Sequence, residues 1–468
     1  MSVSAACDWA SEEFGRAELG DRRRTRRLVR MAATAMQRPA GRILEVFQTS
    51  AERQGAYDLL ANGEVRHGPM TESLGSATAA RCIDESGVYV SIDGSRRSLT
   101  DHTGRKGFGG VGSTQQGGRG LKVVTALAVD MAGTPVGVLD QQWWARRVQK
   151  KCHAHRRRAV HDTETQHWVD CIRESQRRMA EHAPRTRLWF LLDRENDRRG
   201  CLEALHVSGE TFVVRSSTNR RLVADDRRYL LEQLDEAMPS HGYVLHVTAG
   251  PGRSARKAHM LVRAVHANLR LSDRGNRRAS LGVTVVEARE AGTTPPGEKP
   301  IAWRLLTNHP VCEAADADRV IEAYARRWSI EPFHKTWKTG ACNVEDSQLR
   351  DRDHVVKWAI LMAAVAARIE RLKVLSRQQP DQLADSELTK YEIAALILLK
   401  RKFKKRTETI PDSVPTLRDA VTWIAELGGY TGKSSGGPPG SITIRRGLDY
   451  LAPAAATIRA LEKQGKLR

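Results

Sequence analysis

Two short apolar runs, Val88-Tyr-Val-Ser-Ile92 and Leu188-Trp-Phe-Leu-Leu192, each lead straight into an aspartate, Asp93 and Asp193. Runs of this length, rich in β-branched and aromatic side chains, form strands. The second contains no polar residue, so it is the buried kind that an α/β sheet covers on both faces. An acid at the C-terminal end of such a strand stands where α/β sheets bind their ligands. A single acid there is as readily a turn residue or a helix cap. Two strands that end alike point to a site. Residues 121–129 and 136–139 read as two further strands, turning at Met131-Ala-Gly-Thr-Pro135 and completing a meander with the first.

A third acid lies in Tyr324-Ala-Arg-Arg-Trp-Ser-Ile-Glu-Pro-Phe-His-Lys-Thr-Trp-Lys338. Tyr324, Arg327, Glu331 and Lys338 are spaced to share one face of a helix. An amphipathic helix puts apolar residues on such a stripe. Here a carboxylate stands between cations and a phenol. It serves either as an ion pair on a solvated face, or as a metal ligand whose neighbouring cations grip phosphates. Asp93 and Asp193 favour the second. Two strand ends and a helix face can gather three carboxylates in a ribonuclease-H-like α/β core. Such a triad supplies hard oxygen ligands for two Mg²⁺ ions, with Mn²⁺ able to substitute. Two ions about 3.5–4 Å apart suit phosphodiester cleavage without a protein nucleophile.

The chain of 468 residues carries a formal charge of +21, spread through the sequence and not gathered in a tail. That balance predicts a polyanionic partner, most plausibly nucleic acid. Residues 5–80 read as helices. Asp21 can cap a helix that opens Arg22-Arg-Arg-Thr-Arg-Arg27, a dense phosphate-binding patch unless it is merely a solvated face. Gln54-Gly-Ala-Tyr57 sits in the next helix. The block reads as a helical DNA-end-binding domain over residues 1–80. The seven cysteines are odd in number and form no Cys-x-x-Cys pair, which argues against a disulfide framework and for a reducing cytoplasm. The N-terminus lacks a signal-peptide pattern, and no apolar run reaches the ~20 residues of a membrane span.

Residues 101–120 read as a Gly-rich loop with Arg105, Lys106 and Arg119. Residues 145–162 are strongly basic, and Cys152, His153, His155, His161, His167 and Cys171 crowd nearby without a standard zinc spacing. Residues 205–300 alternate like antiparallel strands and read as a β-rich insertion. Trp303, in a strand over 302–307, is either core or a platform for a base. Residues 311–339 read as a long helix pair and 354–375 as an apolar helix. Residues 374–388 read as a linker, 400–406 as a basic cluster, and 448–463 as an amphipathic helix suited to a partner. Gly432-Lys-Ser434 lacks the upstream strand and glycine of a phosphate-binding loop.

The Tyr-x2-Arg-x3-Glu-x6-Lys spacing of Tyr324, Arg327, Glu331 and Lys338 resembles the signature of cut-and-paste DDE transposases of the insertion-sequence-four group. Asp8-Trp-Ala10, Leu19-Gly-Asp21, Arg23-Arg24-Thr25, Gly55-Ala-Tyr57, Asp193-Arg-Glu195, Phe212-Val-Val-Arg-Ser216 and Phe333-His-Lys335 match as well. The resemblance covers most of residues 7–340. It implies a catalytic, metal-holding triad of Asp93, Asp193 and Glu331, with Asp84 and Asp101 as rivals of Asp93. It implies DNA contacts from Arg23, Arg24, Arg27, Arg215, Trp303, Tyr324, Arg327, Lys335 and Lys338, Trp303 stacking on a flipped base. Transposon-end and target DNA are the implied partners, and a homodimer paired through C-terminal helices the working form, nucleoid-associated in a bacterial cytoplasm. The implied domains are 1–80, 81–372 with the insertion, and 373–468. Pro332 departs from the family, which has an acid beside the glutamate. The competing functions are a non-catalytic DNA-binding inhibitor and a metal-dependent nuclease without strand transfer.

Overall fold

The computed structural model describes residues 5–99, 101, 106–111, 118–146, 164–223, 228–250, 252–272, 278–404, 408–433 and 437–464. Arg105 and most of the basic, Cys/His-rich stretch lie outside these residues. The N-terminal part is helical: α1 (Ala5–Phe14), α2 (Arg22–Gln37), α3 (Ile43–Val46), α4 (Ser50–Ala61) and α5 (His67–Ala80). Asp21 caps α2 by accepting from the Arg23 amide, and Thr49 with Glu52 forms a capping box on α4. Each such cap contributes about 1 kcal/mol. α2 turns Leu28, Met31, Ala32 and Ala35 inward and leaves most of its arginines outside.

Next come β1 (Gly87–Ser98), β2 (Gly109–Gly110), β3 (Arg119–Asp130), β4 (Pro135–Trp144), α6 (Thr165–His182), β5 (Arg187–Leu192), α7 (Arg199–Ser208), β6 (Thr211–Arg215) and α8 (Leu230–Glu236). They are followed by β7 (His241–Val247), β8 (Arg256–Ser272), β9 (Arg278–Ala291) and β10 (Ala302–Thr307). Among the described residues these strands form a single ten-stranded sheet in the order β2-β3-β1-β5-β6-β10-β9-β8-β7, with β4 also on β3. β5 runs parallel to both β1 and β6, and the other pairs are antiparallel. The β-rich segment is therefore not a separate sheet. β9 joins β10, and β10 joins β6, so β7–β9 extend the central sheet.

The chain ends in α9 (Ala314–Arg326), a 3₁₀ turn (Arg327–Ser329), α10 (Ile330–Lys338), α11 (Arg352–Gln378), α12 (Lys390–Phe403), α13 (Leu417–Leu427) and α14 (Ser441–Lys463). No described helix is long and apolar enough to cross a membrane. Strand alternation sorts the core into two layers. Val88, Val90, Ile92, Leu188, Phe190 and Leu192 pack with Ile172 of α6 and Leu202 of α7. Tyr89, Trp189, Leu191, Val213 and Leu305 pack with Tyr324, Ile330, Phe333, Trp337 and the buried face of α11. Burying each of these large apolar side chains contributes about 1.5–3 kcal/mol.

Three expectations change. The stretch expected as a linker is packed, with Ala384 and Leu388 buried and Leu383 bridged to Thr416. The boundary expected at 372 falls inside α11, which continues as one helix to Gln378. Lys400 of the expected basic cluster is buried and paired with Glu408 and Glu426, so it is structural.

Candidate active site

β1 and β5 lie side by side with Ile92 opposite Leu192. The next residues, Asp93 and Asp193, therefore stand level on neighbouring strands, about 4.8 Å apart at ordinary strand spacing. Both have the parity of Tyr89, Trp189 and Leu191, which puts them on the sheet face covered by α9–α11. Asp193 ends its strand as expected. Asp93 does not, because β1 continues against β3 as far as Ser98 after β5 has stopped. Asp84 precedes β1, at the far end of the strand from this pair, and Asp101 lies beyond its end. Gly94 faces the other way, where an added β-carbon would stand 2.6 Å from the Trp168 ring of α6.

Asp193 is held by its own turn. Its Oδ1 accepts from the Glu195 amide and from Asn196 Nδ2, each at 2.9 Å. Burial pushes its carboxyl above the usual aspartate range, and the negative charge of Asp93 adds to the push. A positive charge between the two acids relieves that strain.

The expected helix through Tyr324 and Glu331 is broken by the 3₁₀ turn, and the turn carries Arg327 inward. Arg327 Nη1 lies 4.0 Å from Asp93 Oδ1, and Nη2 lies 3.6 Å from Glu331 Oε1. The guanidinium thus joins two of the three acids. Its Nε and Nη1 are buried and make no hydrogen bond to a described residue. The Tyr324 and Trp328 rings flank it, at 5.8 and 5.2 Å from the centroids. His334, one turn after Glu331, brings Nδ1 to 3.5 Å from Asp93 Oδ2.

Beside this cluster stand the other expected contacts. Trp303 and Leu305 share a face with Arg215 across the β10–β6 pair. Trp303 is half-buried and meets Tyr324 edge-on, with centroids 5.3 Å apart. Arg215 donates to the Ala302 carbonyl at 3.2 Å. Burial raises the Tyr324 phenol, against the opposing pull of Arg327 and Arg215. Lys335 is exposed, and Lys338 lies 3.5 Å from Glu345. Arg23, Arg24 and Arg27 are on α2. Arg23 is exposed, and Arg24 donates to the Leu19 carbonyl at 2.9 Å. Arg27 lies so close to Gly55 that a β-carbon there would stand 1.6 Å from Nη1.

Sequence reasoning gave no role to His334, Asn196, Trp328 or Asp197. The His334 signal was its helical spacing from Glu331. Asp197 accepts from the Ser217 and Thr218 amides and from Arg220, and so ties the Asp193 turn to the segment after β6. Nothing in the local sequence marks that long-range clasp.

Among the described residues, no three acids, histidines or cysteines are already gathered closely enough to hold a metal ion. The donors nonetheless suit a divalent cation. Asp93 and Asp193 are hard oxygen ligands on adjoining strands, mutually repelling, with Glu331 linked to them through a single guanidinium.

Two acids side by side at neighbouring parallel strands, faced by a helix bearing a third, are the kind of donor set that metal-assisted phosphoryl transfer uses. Two family models match the chain: Transposase DNA-binding over residues 6–65 and Transposase DDE domain over residues 153–367. The two matches follow one another in that order along the chain, and DDE domains have a ribonuclease-H-like core and generally use divalent metal ions. Asp193, Trp303 and Glu331 fall within the DDE match. Asp93 precedes it, and its place rests on the pairing of β1 with β5.

Proposed function

We propose that the protein is a cut-and-paste transposase of the insertion-sequence-four group, similar to the transposase of transposon five, with Asp93, Asp193 and Glu331 as its metal-holding triad. The observation that carries this reading is the level placement of Asp93 and Asp193 on parallel strands, with Arg327 reaching from Asp93 to Glu331. Mg²⁺, two ions to a site and replaceable by Mn²⁺, would supply Lewis acidity to the attacking and leaving oxygens of a phosphodiester.

The chain's own groups do the rest. Arg327 is the pivot. Its unbonded Nε and Nη1 are donors shaped for a phosphate fork. When the DNA phosphate takes them, Asp93 and Glu331 lose their shared counter-charge and become available as ligands. Tyr324, Lys335 and Lys338 line the approach of the strand, Lys338 exchanging Glu345 for phosphate. Arg215 holds the far side of the strand, and Trp303 leaves Tyr324 to stack on a base unpaired at the DNA end. Flipping costs a few kcal/mol, which stacking of about 1–3 kcal/mol partly offsets. Arg23, Arg24 and Arg27 bind the transposon end in a domain spanning 1–80. Residues from 81 to the end of α11 form the catalytic part, and the helices after it pair two copies. The order of steps is nicking at the end, hairpin formation, hairpin opening and strand transfer into target DNA, in the bacterial nucleoid.

The test is incubation of the full chain with Mg²⁺ and DNA carrying the ends of the element that encodes it, followed by mapping of cut and joined strands. Hairpin and joined products support the reading. Cut strands never joined make it a nuclease. Binding without cutting makes it an inhibitor.

A further inference from the structure

We propose that Arg16, Arg22, Arg26 and Arg30 form a second phosphate-binding face in the N-terminal part, which grips the sugar-phosphate backbone of duplex DNA. The inference rests on the DNA-binding reading of residues 6–65 and separates two sets of arginines that the sequence runs together.

Arg22, Arg26 and Arg30 recur every fourth residue on α2, so they form one stripe. At a rise of 1.5 Å per residue the stripe is about 12 Å long. All three are exposed, as is Arg16 on the connection before α2. The four line one side of an open groove of about 790 Å³ between α1, that connection and α2. None of them makes an ion pair among the described residues, whereas Arg178, Arg220, Arg256 and Arg327 around the central sheet do. Gathered cations without acids repel one another and weaken a fold. They are tolerated where a polyanion neutralises them.

Arg24 and Arg27 are engaged otherwise. Arg24 holds the connection down through the Leu19 carbonyl, and Thr25 Oγ1 does the same through the Ala17 carbonyl at 2.8 Å. Arg27 is wedged against Gly55 of α4. The contacts of Arg24 and Thr25 hold Leu19 and Ala17 in the groove wall, so the outward stripe is pre-arranged before DNA arrives. Of the acids at the groove, Asp21 is committed to the α2 cap, and Glu18 alone offsets the four arginines. A row of exposed guanidinia along one helix stripe suits contact with successive phosphates, the part of DNA binding that carries no sequence information.

The experiment measures binding of the full chain to a mixed-sequence duplex, unrelated to any element end, across a range of KCl concentrations. The R22Q/R26Q/R30Q variant is compared with wild type and with R185Q/R187Q/K299Q, which removes as many exposed charges elsewhere. Losing three phosphate contacts should flatten the plot of log affinity against log salt by about 2.7, at ~0.9 per contact. The control variant should keep the wild-type slope. An unchanged slope in the stripe variant, or equal flattening in both, overturns the proposal. Because the duplex carries no end and nothing is cut, failure of the transposase reading leaves this result standing, and the reverse also holds.

Discussion

Asp193 begins the turn after β5 one residue beyond Leu192, and Asp93 stands at the same level on β1 one residue beyond Ile92, so the strand register alone makes the two acids neighbours. The third acid comes from a different source, α10, and reaches the pair through Arg327.

That bridge gives the first expectation. Arg327→Gln keeps a polar side chain and removes the charge shared by Asp93 and Glu331. Strand nicking in a single-turnover assay should fall by about 100-fold, the usual loss when one preorganised electrostatic group is removed. Affinity for mixed-sequence DNA should change less than about threefold, since the buried guanidinium adds little to the outer field. A parallel loss of both would make Arg327 a general DNA contact.

Trp303 packs edge-on against Tyr324, a contact worth about 0.5–1.5 kcal/mol. Trp303→Ala should spare first-strand nicking and depress hairpin formation about 5- to 150-fold, because the unpaired base loses a stacking partner worth about 1–3 kcal/mol. Gel separation of nicked and hairpin products reads both steps. Equal yields of hairpin from variant and wild type would leave Trp303 with packing as its role.

Glu370 is 1% exposed and accepts from Thr336 of α10, Lys373 of α11 and Ser441 of α14. It therefore ties the helix that carries Glu331 to the C-terminal helices. Glu370→Leu leaves Lys373 without its counter-charge, with Ser441 as its remaining acceptor, and should cost about 3–5 kcal/mol in urea unfolding. The E370L/K373M double variant, which removes both charges, should recover at least half of that loss. A double variant less stable than the single one would mean that the pair is not what stabilises the junction.

Much of this arrangement can be read in the chain, and the exceptions have physical causes. The apolar runs before Asp93 and Asp193 identify both acids because buried parallel strands need unbroken hydrophobicity. The continuation of β1 past Asp93 is hidden, because Gly94 to Ser98 are polar and are held as strand only by β3. β7–β9 look like an insertion, since local alternation says nothing of which strand β9 will join. Residues 374–388 look like a linker by composition, yet Ala384 and Leu388 are buried by distant helices. Arg327 and Glu331 are legible as a motif. That Arg327 sits among the acids, and not out in solvent, depends on the 3₁₀ turn, which no residue type there demands.

The pH dependence should centre on Glu164. Burial acts to raise its carboxyl, but hydrogen bonds from Arg146 and Lys122 overcome that and hold it at about 2, against an ordinary 4.5. A depressed carboxyl contributes stability that is present above the unfolded value and lost as pH falls through the folded one. The window is therefore about pH 4.5 down to about 2. The Glu164 side chain is 40% exposed, so solvent screening limits the contribution to about 1 kcal/mol. Glu164→Gln should remove that part of the acid-side loss while leaving stability above the window lower by the same amount. Melting temperatures of both proteins across the acid range measure it, and identical curves would count against the pairing.

The central claim is that Asp93, Asp193 and Glu331 act as one metal-holding unit. Its most direct measurement is Mg²⁺-dependent cleavage of end-bearing DNA by Asp93→Asn, Asp193→Asn and Glu331→Gln, each alone and then together, with DNA binding recorded in parallel. The account predicts that each single variant binds DNA normally and loses cleavage by at least about 1000-fold, and that the triple variant loses no more than the singles, as residues acting as a unit do. Cleavage at the wild-type rate by any one of the three single variants would contradict it.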